Sequence, residues 1–561
     1  MFFIFMLKIF VYCLLKCSSA KASFYAETNT SFFLSPDECN PYGNCTKSLQ
    51  NFIEACKSTI TTGECDIQLG PGQFNMDVMA RVSFVVNQTN RLTLHGAGPD
   101  STILVFQDLT SMFSVLDSTE IVFANFSVDM TRVPFTLGQI VHTNSSGTVL
   151  LVSDTTMYPI DPATVTQYPY LYQVQATIGY DPSTNRFKNW DIYLPPSTVV
   201  TYFSTWTVFS GTSYYMALNV GDLGNVGDWI LARHQVYEFN AFTFSGCSAV
   251  LVENVIVYAT GGMALVGNEC TDIEIRGGFT KRRSYPDGSI RAMSSSADGI
   301  HINNSVGGRI VIRDNLLEGQ GDDGININTA FTQIANISSD RTQVQTTSSP
   351  AFWVGAIGQM FNGETMVRRS SPTPAVVALS GNTITFESTI PSDVQLYDLL
   401  INVNAISDTV LVEGNTFLNN RAHGALVKQP NALIQGNHFE GMTLQAVTTG
   451  VDGCYWMEGV PVWNWTFTSN TIVQSFAQQT QGPNPVLSID AKVPVFENGV
   501  PNSTNCQSIF SNGVFIDVTI TDNVITTDFQ VLGISVRGTT GMALMNNMLN
   551  IPGNTSTFEI L

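Results

Sequence analysis

Asp298-Gly299-Ile300-His301-Ile302-Asn303 returns 25 residues later as Asp323-Gly324-Ile325-Asn326-Ile327-Asn328, with Asp322 directly before the second copy. Each copy sets an Asp-Gly step ahead of alternating isoleucines, the two-residue period of a strand. Read as successive rungs of a stacked β-coil, the copies place Ile300 on Ile325 and Ile302 on Ile327, pointing inward. His301 and Asn303 then lie over Asn326 and Asn328, pointing outward. Gly299 over Gly324 marks a bend, so strand parity does not extend back to the aspartates, which are free to face solvent. Adjacent rungs hold Asp298 and Asp323 roughly 5 Å apart, with Asp322 beside them. Like charges at that range favour sharing a proton, and a group of three is costly unless it binds something or does acid–base work.

The same logic extends along the chain. Val412-Glu413-Gly414-Asn415-Thr416-Phe417 recurs 22 residues on as Ile434-Gln435-Gly436-Asn437-His438-Phe439. Ile312-Arg313-Asp314-Asn315-Leu316-Leu317, Ile520-Thr521-Asp522-Asn523-Val524-Ile525 and Leu544-Met545-Asn546-Asn547-Met548-Leu549 carry the same phrase. Periods of 22–25 residues with a hydrophobic-x-x-Asn-x-hydrophobic unit predict an all-β parallel β-helix. Asn at the turns tolerates unusual backbone angles and can hydrogen-bond to its counterpart on the next rung. A leucine-rich solenoid would need a longer leucine pattern, which is absent. Shorter strand-like runs at 66–75, 91–98, 102–105 and 121–128 continue the coil towards the N-terminus. A helix is expected over roughly 46–57, with Leu49, Phe52, Ile53 and Cys56 on one stripe, capping the open sheet edge.

Two stretches break the repeat. Residues 145–232 are rich in Tyr, Pro and Thr, and residues 332–402 follow no coil register. Both are too long for plain loops and read as small β modules inserted at coil turns, where they can wall a binding face. The expected order is a cysteine-rich cap over 23–65, coil over 66–144, a module over 145–232, coil carrying the carboxylates over 233–331, a module over 332–402, and coil over 403–561.

Residues 1–22 differ from the rest. An apolar run to Leu15 with Lys8 and Lys16, followed by Cys17-Ser18-Ser19-Ala20-Lys21-Ala22, reads as a secretory signal peptide. No later run resembles a membrane span. Removing the segment also removes three lysines and takes the formal charge from −20 to −23. Such a surface makes nucleic acid a poor partner and leaves a neutral sugar unaffected. Of the ten cysteines, Cys39, Cys45, Cys56 and Cys65 are close enough to staple the cap. Cys247 and Cys270 are about one coil apart and placed to bridge rungs. No cysteine set has zinc spacing. Ten N-x-S/T sequons, among them Asn87, Asn125 and Asn336, mark glycosylation sites in a secreted chain.

The acidic cluster carries the chemistry. An inverting glycosidase needs an acid and a base about 6.5–9.5 Å apart, with a water between. The stacked pair is too close for that by itself. An assignment that fits makes Asp322 the general acid and lets Asp298 with Asp323 hold and activate the water. Repeated Asp-Gly turns explain either copy alone but not the additional Asp322. Stacked acidic rungs that bind calcium are a second alternative. The expectation is no metal and no cofactor. Trp456 offers a flat face for a sugar ring, and Arg132, Arg421 and Glu458 offer groups for hydroxyls. His301, in register with Asn326, is suited to orienting a substrate rather than to nucleophilic attack, since no Ser or Cys is placed for activation.

Several phrases together resemble glycoside hydrolase family 110, the secreted exo-acting α-1,3-galactosidases, within the looser pectin-lyase-like β-helix pattern. They are Asp129-x-x-Arg132-x-Pro134-Phe135-Thr136-x-Gly138; Gly227-Asp228 with Arg233-His234 and Tyr237; Gly261-Gly262-Met263; Asp298-Gly299-x-His301; Asp322-Asp323; Asn419-Asn420-Arg421-Ala422-His423-Gly424; and Trp456-Met457-Glu458-Gly459. The chain departs from the family where His423 stands for an Arg, and where a Ser is missing between Glu458 and Gly459. The resemblance implies a right-handed coil, β-barrel-like inserts flanking the cleft, and no cofactor. It also implies inverting release of a terminal α-galactosyl group from a galactose-containing glycan. The catalytic residues are then Asp298, Asp322 and Asp323, and the substrate-binding set is His301, Asn326, Arg132, His234, Arg421, His423, Trp456 and Glu458. A polygalacturonase-like enzyme would want a Gly-His-Gly step and an Arg-x-Lys pair, absent after Asp323. A pectate lyase would want an arginine base beside a calcium cluster. A non-catalytic secreted or cell-surface β-helix that binds glycans is the reading from a different class.

Overall fold

The computed structural model describes residues 30–39, 45–59, 63–77, 81–152, 162–193, 202–210, 213–475, 485–509, 513–528, 531–552 and 558–560. The expected signal segment lies outside them. The chain is a right-handed parallel β-helix. One 22-stranded sheet wraps two faces of the coil, and a 12-stranded sheet forms another. Within the latter, Leu265–Asn268, Ile300–Asn303, Ile325–Asn328, Ala425–Val427, Val447–Asp452, Pro485–Glu497, Leu532–Val536 and Phe558–Ile560 pair in parallel in that order. The register at its centre is Ile300 on Ile325, His301 on Asn326, Ile302 on Ile327 and Asn303 on Asn328. All four isoleucines are buried.

Parallel stacking sets like beside like. Phe113 stacks between Phe84 and Phe242 with ring centroids 5.0 and 5.2 Å away, and these are register partners. Phe417 and Phe439 repeat the arrangement at 4.4 Å. At one turn of the coil, Asn315, Asn415, Asn437, Asn470, Asn523 and Asn547 form a continuous ladder, each side-chain amide donating to the Oδ1 of the next. Asn470, in Phe467-Thr468-Ser469-Asn470-Thr471-Ile472, is a member that the sequence phrase also fits. The residues just before the ladder (Asp314, Gly414, Gly436, Ser469, Asp522 and Asn546) all have φ between 55° and 64°. The left-handed bend explains why Gly, Asp, Asn and Ser alternate there.

The interruptions are antiparallel. An eight-stranded sheet runs from Phe135–Asn144 to Trp229–Arg233, so the first module starts ten residues before the expected boundary at 145. Phe135 pairs with Arg233 at its base. A six-stranded sheet from Phe331–Ile337 to Leu399–Asn402 forms the second module. A third feature, absent from the sequence reading, is the hairpin of Pro485–Glu497 with Val500–Ser508, which the Cys454–Cys506 disulfide ties to the preceding rung. The cap contains the Thr46–Thr59 helix, with Leu49, Ile53 and Cys56 buried, and disulfides Cys39–Cys45 and Cys56–Cys65. Cys247 and Cys270 do lie on adjacent rungs, one residue before the Ser248–Thr271 pair, but both are free buried thiols. Among the described residues no helix is long and apolar enough to cross a membrane.

Asn437 donates to Val412 O and Asn470 Oδ1, and accepts from the Asn415 backbone and side chain, all at 2.9–3.0 Å. Asn437→Ala strands the buried donors of Asn415 and the carbonyl of Val412. The expected loss is roughly 3 kcal/mol, from unsatisfied groups costing about 1–3 kcal/mol each, read by urea unfolding. A loss below about 0.5 kcal/mol would show that the ladder does not hold the coil together.

Candidate active site

The aspartates project from the turns that enter the 12-stranded sheet. Gly299 N–H donates to Asp323 O, and Gly324 N–H to His423 O, both at 2.9 Å. These turns approach so closely that a Cβ on Gly299 would sit 2.6 Å from Gly324 O, and one on Gly324 would sit 2.5 Å from Gly424 O. The Asp-Gly repeat is therefore a packing requirement as well as a bend. It brings one oxygen each of Asp298, Asp322 and Asp323 to within 4.8 Å of one another.

Each carboxylate has its own donors. Asp298 Oδ2 lies 2.8 Å from His301 Nδ1, and its Oδ1 accepts from Asp323 N–H at 3.3 Å. Asp323 Oδ1 accepts from the His423 backbone N–H at 2.9 Å and lies 2.8 Å from His423 Nδ1. Asp322 accepts from Tyr237 Oη at 2.8 Å and Arg421 Nη1 at 2.9 Å. Burial, opposed by His301 and reinforced by the neighbouring aspartates, raises the Asp298 pKa to about 7. Burial also raises Asp322, more than Arg421 lowers it. Burial pushes Asp323 up as well, but His423 and Lys428 outweigh it and hold this carboxyl below its ordinary value. Three similar groups are thus driven apart in proton affinity, the condition for dividing acid and base roles.

The carboxylates open into a cleft of 870 Å³ that His301, Asn326, Arg421, His423, Trp456 and Glu458 also line. Arg132 and His234 do not line it. Both are buried, 1% and 0% exposed, at the base of the first module. His234 Nδ1 donates to Gln173 O at 2.7 Å and its Nε2 lies 3.0 Å from Thr136 Oγ1. Burial lowers its pKa to about 3, so the ring is neutral. Arg132 Nη2 donates to Thr136 Oγ1 at 3.5 Å, and neither side chain lines the cleft that holds the carboxylates.

Three contributors escaped the assignment of site roles from sequence. Tyr237 bonds Asp322. Lys428 donates to Glu458 at 2.6 Å on the cleft wall. Arg233 Nη1 donates to Ser296 O and Gly321 O, both at 2.8 Å, tying together the two turns that carry the aspartates. The phrase Arg233-His234 was the available signal; strand alternation aims one of its members at the turns and the other into the module. The lining stops one rung before the carboxylates, at Tyr237 and Met263, and runs past them to the last rung at Glu559.

The oxygen spacing also suits a divalent cation. The donor set does not favour one: an arginine, two histidines, a tyrosine hydroxyl and two backbone N–H groups already bond five of the six carboxylate oxygens, and a cation bound by those oxygens would have to displace them. The residues present fit proton transfer.

No family model matches the chain. It is similar to alpha-1,3-galactosidase A of Streptomyces avermitilis, 24% identical over 499 residues, covering 82% of this chain and 76% of that protein. It is 25% identical to alpha-1,3-galactosidase A of Shewanella woodyi over 246 residues (42% of this chain, 40% of the relative). It is 26% identical to alpha-1,3-galactosidase B of Akkermansia muciniphila over 252 residues (43% and 31%). The chain thus spans less than half the length of these last two relatives. Among solved structures, it is similar to the A-module of Azotobacter vinelandii mannuronan C-5 epimerase AlgE4, with a TM-score of 0.41, 10% identity, and coverage of 94% and 97%. So loose a likeness carries nothing about function.

The Asp298 shift has a consequence for stability. Its proton is held more tightly in the folded protein, so the stability it contributes is full below about 3.8 and is lost as pH rises to about 7. His301 is also raised, by Asp298, against the effect of burial, and its contribution is likewise lost as pH rises. Asp298→Asn removes both dependences. Its melting temperature relative to wild type should therefore climb from pH 4 to pH 7.5 in calorimetry. A constant difference would contradict the buried, protonated state.

Proposed function

We propose that this chain is a secreted glycoside hydrolase that removes terminal α-linked galactose from a glycan, acting from the chain end and with inversion of configuration. The observation that carries the reading is the convergence of Asp298, Asp322 and Asp323 on one open cleft. The relatives named alpha-1,3-galactosidase support galactose as the sugar released. Three disulfides and the apolar leader at 1–22 support secretion. The strongly acidic chain supports a neutral sugar as partner rather than nucleic acid.

Asp322 serves as general acid. Burial raises its affinity for a proton, and Arg421 stabilises the carboxylate left once the proton has passed to the departing oxygen. Asp323, held ionised by His423 and Lys428, is the base, and Asp298 completes the cradle for the water. Oxygens no more than 4.8 Å apart are what a single water, donating two ordinary hydrogen bonds of about 2.8 Å, can bridge. His301 and Asn326 on the floor, with Trp456 and Glu458 on the wall, position the galactosyl ring. His423 stands where the resembled family has Arg, and it keeps the bond to Asp323 that a cation there would make. The same spacing is close to the 5–5.5 Å of retaining enzymes, so the stereochemistry is the decisive measurement.

Hydrolysis of p-nitrophenyl α-galactoside and an α-1,3-linked digalactoside, followed by proton NMR, should release β-galactose first. Asp322→Asn should lower kcat on the digalactoside by about 10³-fold or more. EDTA should leave the rate unchanged. Retention, an inert α-galactoside panel, or loss of activity with EDTA each overturns a named part of this reading.

A further inference from the structure

An enzyme that needs only a terminal sugar and the atom it leaves behind has no use for a long cleft. Here the lining runs one rung to one side of the carboxylates and five rungs to the other. Its floor is a single outward-facing register row, Asn326, Leu426, Thr448, Ser488, Ser535 and Glu559. At the spacing of hydrogen-bonded strands, five steps span roughly 24 Å. Four of these six side chains carry hydroxyls or a carboxylate beyond Leu426. Thr448 Oγ1 bonds Ser488 Oγ, and Ser535 Oγ donates to Glu559 Oε2 at 2.8 Å.

The walls are polar and aromatic. The Pro485–Glu497 and Val500–Ser508 hairpin brings Asp490 and Ser508 to one side, bonded to each other at 2.6 Å. Arg537 Nη1 donates to Ser508 Oγ at 3.0 Å. Tyr455 and Trp456 stand on the rim, 63% and 51% exposed, with Lys492 also lining the cleft and exposed. Exposed rings beside rows of hydroxyls and carboxylates match the amphipathic faces of pyranose rings. Tyr237 and Met263 are the last lining residues on the opposite side.

Resting on the proposed galactosidase reading, we infer that this one-sided extension is an aglycone-binding track. The galactose sits at the carboxylates, and the glycan it caps lies along the row towards the C-terminal rungs. The substrate class is then an oligosaccharide or glycan chain of neutral sugars tipped with α-galactose, rather than a free disaccharide. The hairpin and the Cys454–Cys506 disulfide that anchors it belong to this track, which gives that inserted hairpin a role.

The test compares kcat/KM for α-galactose-terminated di-, tri-, tetra- and pentasaccharides with one terminal linkage. The expected result is a rise of about tenfold or more between the disaccharide and the tetrasaccharide, mainly through KM. In Tyr455→Ala and Lys492→Ala the ratio of tetrasaccharide to disaccharide kcat/KM should fall about threefold or more. Because the comparison is a ratio within each variant, partial misfolding does not imitate it. Calorimetric titration of Asp322→Asn with the same series should show affinity rising with length. Equal kcat/KM at every length overturns the track while leaving the galactosidase reading standing. Failure to cleave any α-galactoside overturns that reading instead, and the titration still reports whether the track binds glycan.

Discussion

The structure depends on parallel register. Between two rungs, backbone hydrogen bonds fix Ile300 on Ile325 and Ile302 on Ile327, and everything outward-facing follows from that choice. A slip of one residue would turn His301 and Asn326 into the apolar core and expose the isoleucines. The glycine turns tighten the constraint. With only about 2.5 Å between a would-be Cβ on Gly324 and the Gly424 carbonyl, no other residue fits without moving the next rung. The close approach that excludes side chains there is the same one that brings the aspartates together.

Such a site is destabilising by construction. Three carboxylates largely removed from water repel each other, and each would favour neutralisation. The protein offsets this unevenly. Asp322 receives an arginine and a hydroxyl donor, whereas Asp323 and Asp298 each receive one histidine and one backbone N–H, the one to Asp298 being long. The arrangement persists because Arg233, buried beneath both turns, fixes their carbonyls, and because the Asn ladder and stacked phenylalanines supply stability elsewhere. Strain of this kind is tolerated at working sites and compensated in the scaffold.

What was legible in the sequence follows from locality. The two aspartate rungs are 25 residues apart with nothing inserted between them, so their stacking could be read from spacing. The next rung, carrying Arg421 and His423, is separated by the whole second module, so its adjacency to Asp323 had no spacing to announce it, and the family-like phrase marked the two residues only as binding groups. Arg132 and His234 were misassigned because the first module begins at Phe135, so both lie at its base instead of at the mouth of the cleft. The Cys454–Cys506 pairing spans 52 residues and has no sequence period to announce it. Glu458 was legible as a polar residue near the site, but its engagement by Lys428 depends on a loop that returns across the sheet.

A coil of equal rungs is translationally uniform, and uniformity gives a binding surface no beginning. The breaks in the repeat supply one. The first module leaves the coil before the aspartate rungs, and Tyr237, on the chain returning from it, reaches Asp322. The second leaves directly after Asn328 and rejoins at Thr409, yet Arg309 still pairs with Thr409 as the adjacent rung. The face that carries the carboxylates is likewise uninterrupted in space, Ile325 pairing with Ala425 across the insertion, although the chain is interrupted at its edge. Insertion changes what stands over a rung without changing which rungs touch, because backbone pairing and not chain continuity fixes the order of the stack. A β-helix can thus acquire walls and a one-sided track while its carboxylates keep the separation set by one strand spacing.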